Sequence, residues 1–157
     1  MKFLDGRGYF VCEYCTAFHF PDESEASFEG VKRLEEESDL ACPVCHVPLV
    51  QAALEGNRVL HCEKCRGILV SNPSFADIVR IRRARHEGPV DRPLPLDRDA
   101  LKRRIGCPVC DGLMDVHPYY GPGNAVIDTC ARCGLIWLDH GELGVIERAP
   151  GTRPRPV

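Results

Sequence analysis

The chain has 157 residues, a formal net charge of −3 and 10 cysteines. It contains neither an apolar run of about 18 residues nor an apolar leader with a small-residue cleavage site, so we expect no transmembrane helix and no signal peptide. All the cysteines lie in five Cys-x-x-Cys pairs, at 12/15, 42/45, 62/65, 107/110 and 130/133. In a reducing compartment such pairs indicate metal ligands, and a disulfide scaffold is the less favoured alternative. We therefore predict a cytoplasmic, metal-binding protein with no membrane partner.

The charge distribution bears on nucleic-acid binding. Two four-thiolate zinc sites would move the net charge to about −7, because ligand sulfurs are deprotonated. Residues 1–41 contain 4 Lys/Arg against 10 Asp/Glu, whereas residues 80–104 contain 9 Lys/Arg against 4 Asp/Glu. Only this second segment could attract a polyanion.

The first cysteine pair, Cys12 and Cys15, is left over when the four pairs that follow are matched two by two. The segment LDGRGYFVCEYC aligns without a gap with LEGNRVLHCEKC further along, so that Cys12 falls on Cys62. We interpret residues 1–40 as the second half of a ribbon whose first half is missing, followed by an acidic helix. A metal here would need ligands from His19, or from the same pair of a second chain in a homodimer.

A repeated unit follows, and it starts twice with CPVC, at Cys42 and at Cys107. A second pair comes after 16 residues in the first unit and after 19 in the second, with Gly56-Asn57 and Gly121–Asn124 as turn signals between. A β-hairpin that brings two Cys-x-x-Cys turns together closes a tetrahedral, structural site for zinc, with iron as the alternative metal. The predicted ligands are two sets, Cys42, Cys45, Cys62 and Cys65, and Cys107, Cys110, Cys130 and Cys133.

Each unit then continues into a predicted short helix. Asp139 and Glu142 fit a capping box, and Ser71 aligns with Asp139. We interpret Asp139, His140 and Glu142 as a cap with solvated neighbours rather than as a catalytic or second metal group. Trp137 is interpreted as a core anchor rather than a base-stacking platform.

The second unit, read as CPVC…CARCGLIWLDHGEL, closely resembles the bacterial transcription-factor zinc-finger family, the TFIIB-type zinc ribbons. Its matching residues are Cys107, Pro108, Cys110, Cys130, Cys133, Trp137, Leu138, Asp139, Gly141, Glu142 and Leu143. The expected glycine is displaced to Gly134. The first unit keeps the cysteines, Pro43 and Gly67, but has Leu69, Ser71 and Pro73 at the family's Trp, Asp and Gly, so it resembles a diverged copy. The resemblance implies a zinc-ribbon fold and no particular activity.

The predicted fold class is a small, metal-stabilised α+β protein of tandem zinc ribbons, each followed by a short helix. We divide the chain into the half-ribbon with its acidic helix (1–40), ribbon 1 with a basic helix (41–87), a proline-rich linker (88–105), ribbon 2 (106–149) and a disordered tail (150–157). The basic helix and the linker carry a cluster of arginines and one lysine, at Arg80, Arg82, Arg83, Arg85, Lys102, Arg103 and Arg104. This cluster is either a nucleic-acid footprint or a solvated helix balanced by acidic residues, and we favour the second.

Three functional hypotheses remain open. The first is a non-enzymatic zinc-ribbon module that binds protein or nucleic acid, with a connection to transcription. The others are a self-associating metal-stabilised scaffold and a thiol redox protein that uses Cys12 and Cys15. A rival cysteine pairing would join Cys12/Cys15 to Cys42/Cys45, and Cys62/Cys65 to Cys107/Cys110, which leaves Cys130/Cys133 alone.

Overall fold

The computed structural model describes residues 2–4, 9–11, 14, 18–19, 30–90, 92, 95–119 and 123–152. Antiparallel sheet dominates these residues, and two α-helices accompany it. The strands are β1 (Lys2–Leu4), β2 (Tyr9–Val11), β3 (Phe18–His19), β4 (Lys32–Ala41), β5 (Pro48–Leu54), β6 (Asn57–His61), β7 (Ile68–Ser71), β8 (Asp115–Pro118), β9 (Val126–Cys130) and β10 (Leu135–Leu138). The helices are α1 (Asn72–Arg85) and α2 (Glu142–Arg148), and a 3-10 helix covers Ala100–Lys102. A small fold with metal-binding potential is thus supported, with more strand than the predicted class conveys. None of the helices in this part of the chain is long and apolar enough to cross a membrane.

The N-terminal strands form their own three-stranded sheet, in the order β1-β2-β3. The pairing of β2 with β3 has the same register as that of β6 with β7, since Phe10 faces His19 as Leu60 faces Leu69. The half-ribbon stays a prediction because Cys12 and Cys15 lie outside the described residues. The prediction of an acidic helix was wrong in its last part, because residues 32–41 form strand β4. This strand pairs with β5 and contributes Leu40 to the core around the cysteines.

The remaining strands form one seven-stranded sheet in the order β4-β5-β6-β7-β10-β9-β8. Ribbon 1 and ribbon 2 meet where β7 pairs with β10, and we call this pairing the seam. Leu69 lies directly opposite Trp137, its counterpart in the repeat, while Ile68 faces Leu138 and Val70 faces Ile136. A pseudo-two-fold axis therefore passes through the seam and relates the two ribbons.

Along β7 and β10, successive side chains belong alternately to two different hydrophobic cores. Ile68, Val70, Ile136 and Leu138 belong to a cluster that also contains the buried residues of α1 and α2. Leu69 and Trp137 belong to a second cluster, which contains the cysteines. Because side chains of a strand point alternately to its two faces, the helices cover one face of the sheet and the cysteine turns cover the other.

The segments that lead into the two ribbons begin alike and then diverge. Ala41 pairs with Pro48, and Gly106 makes the equivalent bridge to Leu113. Upstream of Ala41 the chain continues along β5 as β4. Upstream of Gly106 it turns into the 3-10 helix instead, so β8 has no outer strand among the described residues.

Candidate metal centres

The described residues contain four Cys-x-x-Cys turns, and three of these show the same backbone hydrogen bonds. The first cysteine accepts a bond at its carbonyl from the residue after the second cysteine, as in Asp111 N–H to Cys107 O at 2.9 Å. Its own N–H donates to the residue five positions on, as in Cys107 N–H to Gly112 O at 2.8 Å. The residue after the second cysteine is left-handed in all four turns: His46 (φ 61°), Arg66 (φ 59°), Asp111 (φ 60°) and Gly134 (φ 64°).

These turns bring the cysteines together in two groups of four. We call them centre 1 (Cys42, Cys45, Cys62 and Cys65) and centre 2 (Cys107, Cys110, Cys130 and Cys133). The sulfur atoms of each group all lie within 4.8 Å of one another. The Sγ atoms of Cys42 and Cys65, and those of Cys110 and Cys130, are 3.7 Å apart. A tetrahedron with zinc–sulfur bonds of about 2.3 Å has sulfurs about 3.8 Å apart, so both groups fit zinc.

The thiols within each centre differ in how easily they ionise. Burial raises the pKa of Cys45 and Cys107, and raises that of Cys133 to about 12. Conversely, hydrogen bonding from the Cys42 thiol lowers the pKa of Cys62 to about 2, and the Gly112 backbone N–H lowers that of Cys110 to about 7. Because zinc needs its sulfur ligands as thiolates, a bound cation would offset the cost of ionising the remaining thiols.

The cysteines are grouped as the repeat predicted and not as in the rival pairing. Cys62 and Cys65 lie with Cys42 and Cys45, and Cys107 and Cys110 lie with the last pair. Cys12 and Cys15 are not among the described residues, so their role as ligands stays a prediction.

A comparison with protein-family models finds a match for part of the chain. Residues 41–79 match the transcription factor zinc-finger family. The match lies on ribbon 1, the copy interpreted as diverged, and with the two four-cysteine groups it supports zinc binding. No curated protein and no solved structure matches the chain.

At the seam, a large side chain of one zinc ribbon packs against a glycine of the other. Trp137 of ribbon 2 is fully buried and lies over Gly67 of ribbon 1. A Cβ atom added to Gly67 would come within 2.1 Å of Cζ2 of the Trp137 ring. Trp137 is therefore the core anchor that the sequence indicated.

The WLDHGEL motif of ribbon 2 forms a buried polar network. Asp139 Oδ1 accepts hydrogen bonds from Trp137 Nε1–H and from Arg103, both at 3.1 Å. Arg103 also forms ion pairs of 2.7 Å with Asp128 and with Asp139. Although burial lowers the pKa of Arg103, the charges and hydrogen bonds of Asp139 and Asp128 raise it above its usual value. Sequence reasoning missed this partnership; its one signal was an aspartate inside the apolar strand VIDTC.

Burial of this motif corrects one part of the interpretation of Asp139, His140 and Glu142 as a cap with solvated neighbours. All three are buried, and Glu142 is only 1% exposed. Glu142 does accept a hydrogen bond from Asp139 N–H at 2.9 Å, as a capping box requires. The residue at the N-cap is nevertheless Gly141, with φ 87°. In ribbon 1, by contrast, Ser71 is the N-cap and accepts from Ser74 N–H.

Most of the candidate arginine cluster is engaged within the molecule. Arg83 is buried and donates to the carbonyls of Ile146, Ala149 and Thr152 at the end of α2. The other three arginines of α1 bind carboxylates: Arg80 pairs with Asp77, Arg82 with Glu55 and Glu147, and Arg85 with Glu55. The balancing acids thus include Glu55, Asp77 and Glu147 rather than only the acidic N-terminal segment.

Proposed function

We infer that this chain is a non-enzymatic zinc-ribbon module that binds another protein. Its two centres would each hold one zinc ion through four thiolates, which leaves no coordination position for a substrate. Such an ion stabilises small folds that bury too little apolar surface on their own. A cytoplasmic location is part of the proposal, because free thiols persist in a reducing compartment.

The observation that carries protein binding is the apolar tip of ribbon 2. Val109 is 53% exposed and Leu113 is 74% exposed, next to the first turn of centre 2. Asp111 and Asp115 lie beside them, exposed and without an ion pair among the described residues. Apolar side chains with unpaired acids favour a polypeptide partner that carries basic and apolar residues.

Nucleic acid is the less favoured partner. The arginines of α1 are held by carboxylates or carbonyls, so a phosphate would have to displace an existing partner. The exposed acids at the tip of ribbon 2 would repel a polyanion. The family description of residues 41–79 extends the proposal to a partner in transcription.

Site-specific photo-crosslinking in cells tests protein binding. A photoreactive phenylalanine analogue at Leu113 is compared with the same analogue at Glu87, an exposed position after α1. We expect a discrete protein adduct from position 113 that position 87 lacks and that Val109→Lys abolishes. Identical adducts from both positions would contradict the proposal.

A binding measurement tests the nucleic-acid alternative. Fluorescence anisotropy with labelled duplex DNA, single-stranded DNA and RNA at several salt concentrations should detect no salt-sensitive binding. Binding that weakens steeply with salt and is lost in Arg82→Gln would overturn the choice of partner.

A further inference from the structure

The two centres differ in how deeply the protein buries their cysteines. In centre 1, Cys42, Cys62 and Cys65 are at most 3% exposed, and only Cys45 is half-buried. In centre 2, Cys107 and Cys130 are buried, but both Cys110 and Cys133 are half-buried. The clearest contrast is therefore between Cys65 and Cys133, which hold the same position in the repeat.

The seam explains part of this contrast. Trp137 lies over Gly67, two residues beyond Cys65, and residues 65–67 are all buried. Leu69 holds the position of Trp137 in ribbon 1 and is smaller than tryptophan, and residues 133–135 of ribbon 2 are half-buried. The larger member of the seam pair thus shields centre 1.

The residue after each cysteine explains more of it. Arg66 follows Cys65 and is itself only 9% exposed, so its side chain lies over the protein rather than in solvent. Gly134 follows Cys133 and has no side chain to cover the sulfur. Arg66 and Gly134 have the same left-handed backbone. The two turns therefore differ in the side chain that follows the cysteine and not in their backbone geometry.

We propose that Cys110 and Cys133 form a modification site for hydroperoxides, and that centre 1 is resistant to the same oxidant. Oxidation of thiolates follows their exposure, and both of these cysteines are partly exposed. They also lie within 4.8 Å of each other, so a disulfide between them needs little movement.

The chemistry balances with peroxide as the oxidant. The thiolate of one of these two cysteines attacks one peroxide oxygen, the O–O bond breaks, and a sulfenic acid and hydroxide result. The thiolate of the other cysteine then attacks the sulfenic sulfur, the S–O bond breaks, and a second hydroxide leaves as the disulfide forms. Two thiolates are oxidised by two electrons in all, and zinc held by only Cys107 and Cys130 would be released.

The experiment follows the protein loaded with zinc through treatment with hydrogen peroxide. Native mass spectrometry counts the zinc ions, and alkylation followed by peptide mapping identifies the oxidised cysteines. We expect the first zinc to be lost at least about tenfold faster than the second, together with a disulfide confined to centre 2. Equal rates, or oxidation of centre 1 first, would overturn the proposal.

Two variants test the cause of the difference in opposite directions. Gly134→Arg copies ribbon 1 and should slow oxidation of centre 2, while Arg66→Gly should speed oxidation of centre 1. If neither variant changes its rate, cover by this residue is not the cause. The inference rests only on the zinc-binding part of the proposed function: an untreated protein without two zincs would contradict that part, whereas two zincs lost together would contradict the inference alone.

Discussion

Ribbon 1 and ribbon 2 share a backbone plan but have opposite roles at the seam. Ribbon 1 has the glycine of the family pattern and lacks its tryptophan, while ribbon 2 has Trp137 and has Leu135 where Gly67 lies in ribbon 1. Each copy alone lacks one residue of the pattern, but the two copies together contain both the glycine and the tryptophan. The comparison teaches that divergence between joined repeats can be complementary, because a residue lost in one copy makes room for a residue kept in the other.

Loss of a cysteine ligand should have the largest effect, and it should remove the zinc of one ribbon while the other ribbon keeps its own. In Cys62→Ser and in Cys130→Ser we expect one zinc instead of two, since three thiolates leave the tetrahedral site incomplete. The stability lost with a structural zinc is on the order of 10 kcal/mol at neutral pH. Native mass spectrometry gives the zinc count, and two zincs in either variant would contradict the assignment of that centre.

Removal of the half-buried Arg103 cation should have the next largest effect, and we expect that effect in ribbon 2 alone. Arg103→Gln leaves the buried Asp128 carboxylate without its ion pair, at an expected cost of about 3 kcal/mol in the free energy of unfolding. The exposed neighbour Arg104→Gln is the matched control, with a change within about 0.5 kcal/mol. Chemical denaturation of the zinc-loaded protein measures both, and equal effects would argue against the network.

The complementarity of the seam is tested by filling the space under the tryptophan. Gly67→Ala places a methyl group in the Trp137 ring, so we expect a loss of about 1–3 kcal/mol in the free energy of unfolding. The same substitution should cost nothing further in a Trp137→Leu background. An equal cost in both backgrounds, measured by thermal denaturation, would mean that the two residues do not interact.

The two helix starts offer a smaller test. Ser71→Ala removes a side-chain cap from α1 and should cost about 1 kcal/mol. At the equivalent position, Asp139→Ala should cost more than that, because Asp139 binds Arg103 and Trp137 rather than capping its helix. Equal losses in chemical denaturation would restore the interpretation of Asp139 as a simple cap.

The smallest effect is expected from the first cysteine pair. Replacing Cys12 and Cys15 by serine should leave the free energy of unfolding and both zincs of ribbons 1 and 2 unchanged. Light scattering tests the predicted homodimer: a dimer that the double variant dissolves supports it, and a monomeric wild-type protein contradicts it.

Much of the candidate site could be predicted because its signals are local. Two Cys-x-x-Cys turns joined by a hairpin indicate four ligands, and the repeat indicates which pairs belong together. The displaced Gly134 has a local reason too, since it occupies the left-handed position that follows each pair.

The features that sequence reasoning missed depend on contacts distant in sequence. Strand β4 is charged and reads as helical, but it forms a strand because β5 offers it an edge to pair with. Arg103 resembles a surface charge until Asp128, 25 residues later, is found buried beside it. The joining of two ribbons into one sheet follows from the pairing of β7 with β10, which no local pattern indicates.

The outer strands of the sheet carry a consequence for aggregation. A ribbon that pairs with a copy of itself along one edge could add further copies along the other, as amyloid-forming strands do. Strand β4 opposes this with charged side chains that a neighbouring sheet would have to desolvate. Just before β8, Met114 N–H already donates to Ile105 O, and Pro118 at the end of β8 has no N–H to offer. We therefore expect that the pairing which joins the two ribbons does not continue into a fibre.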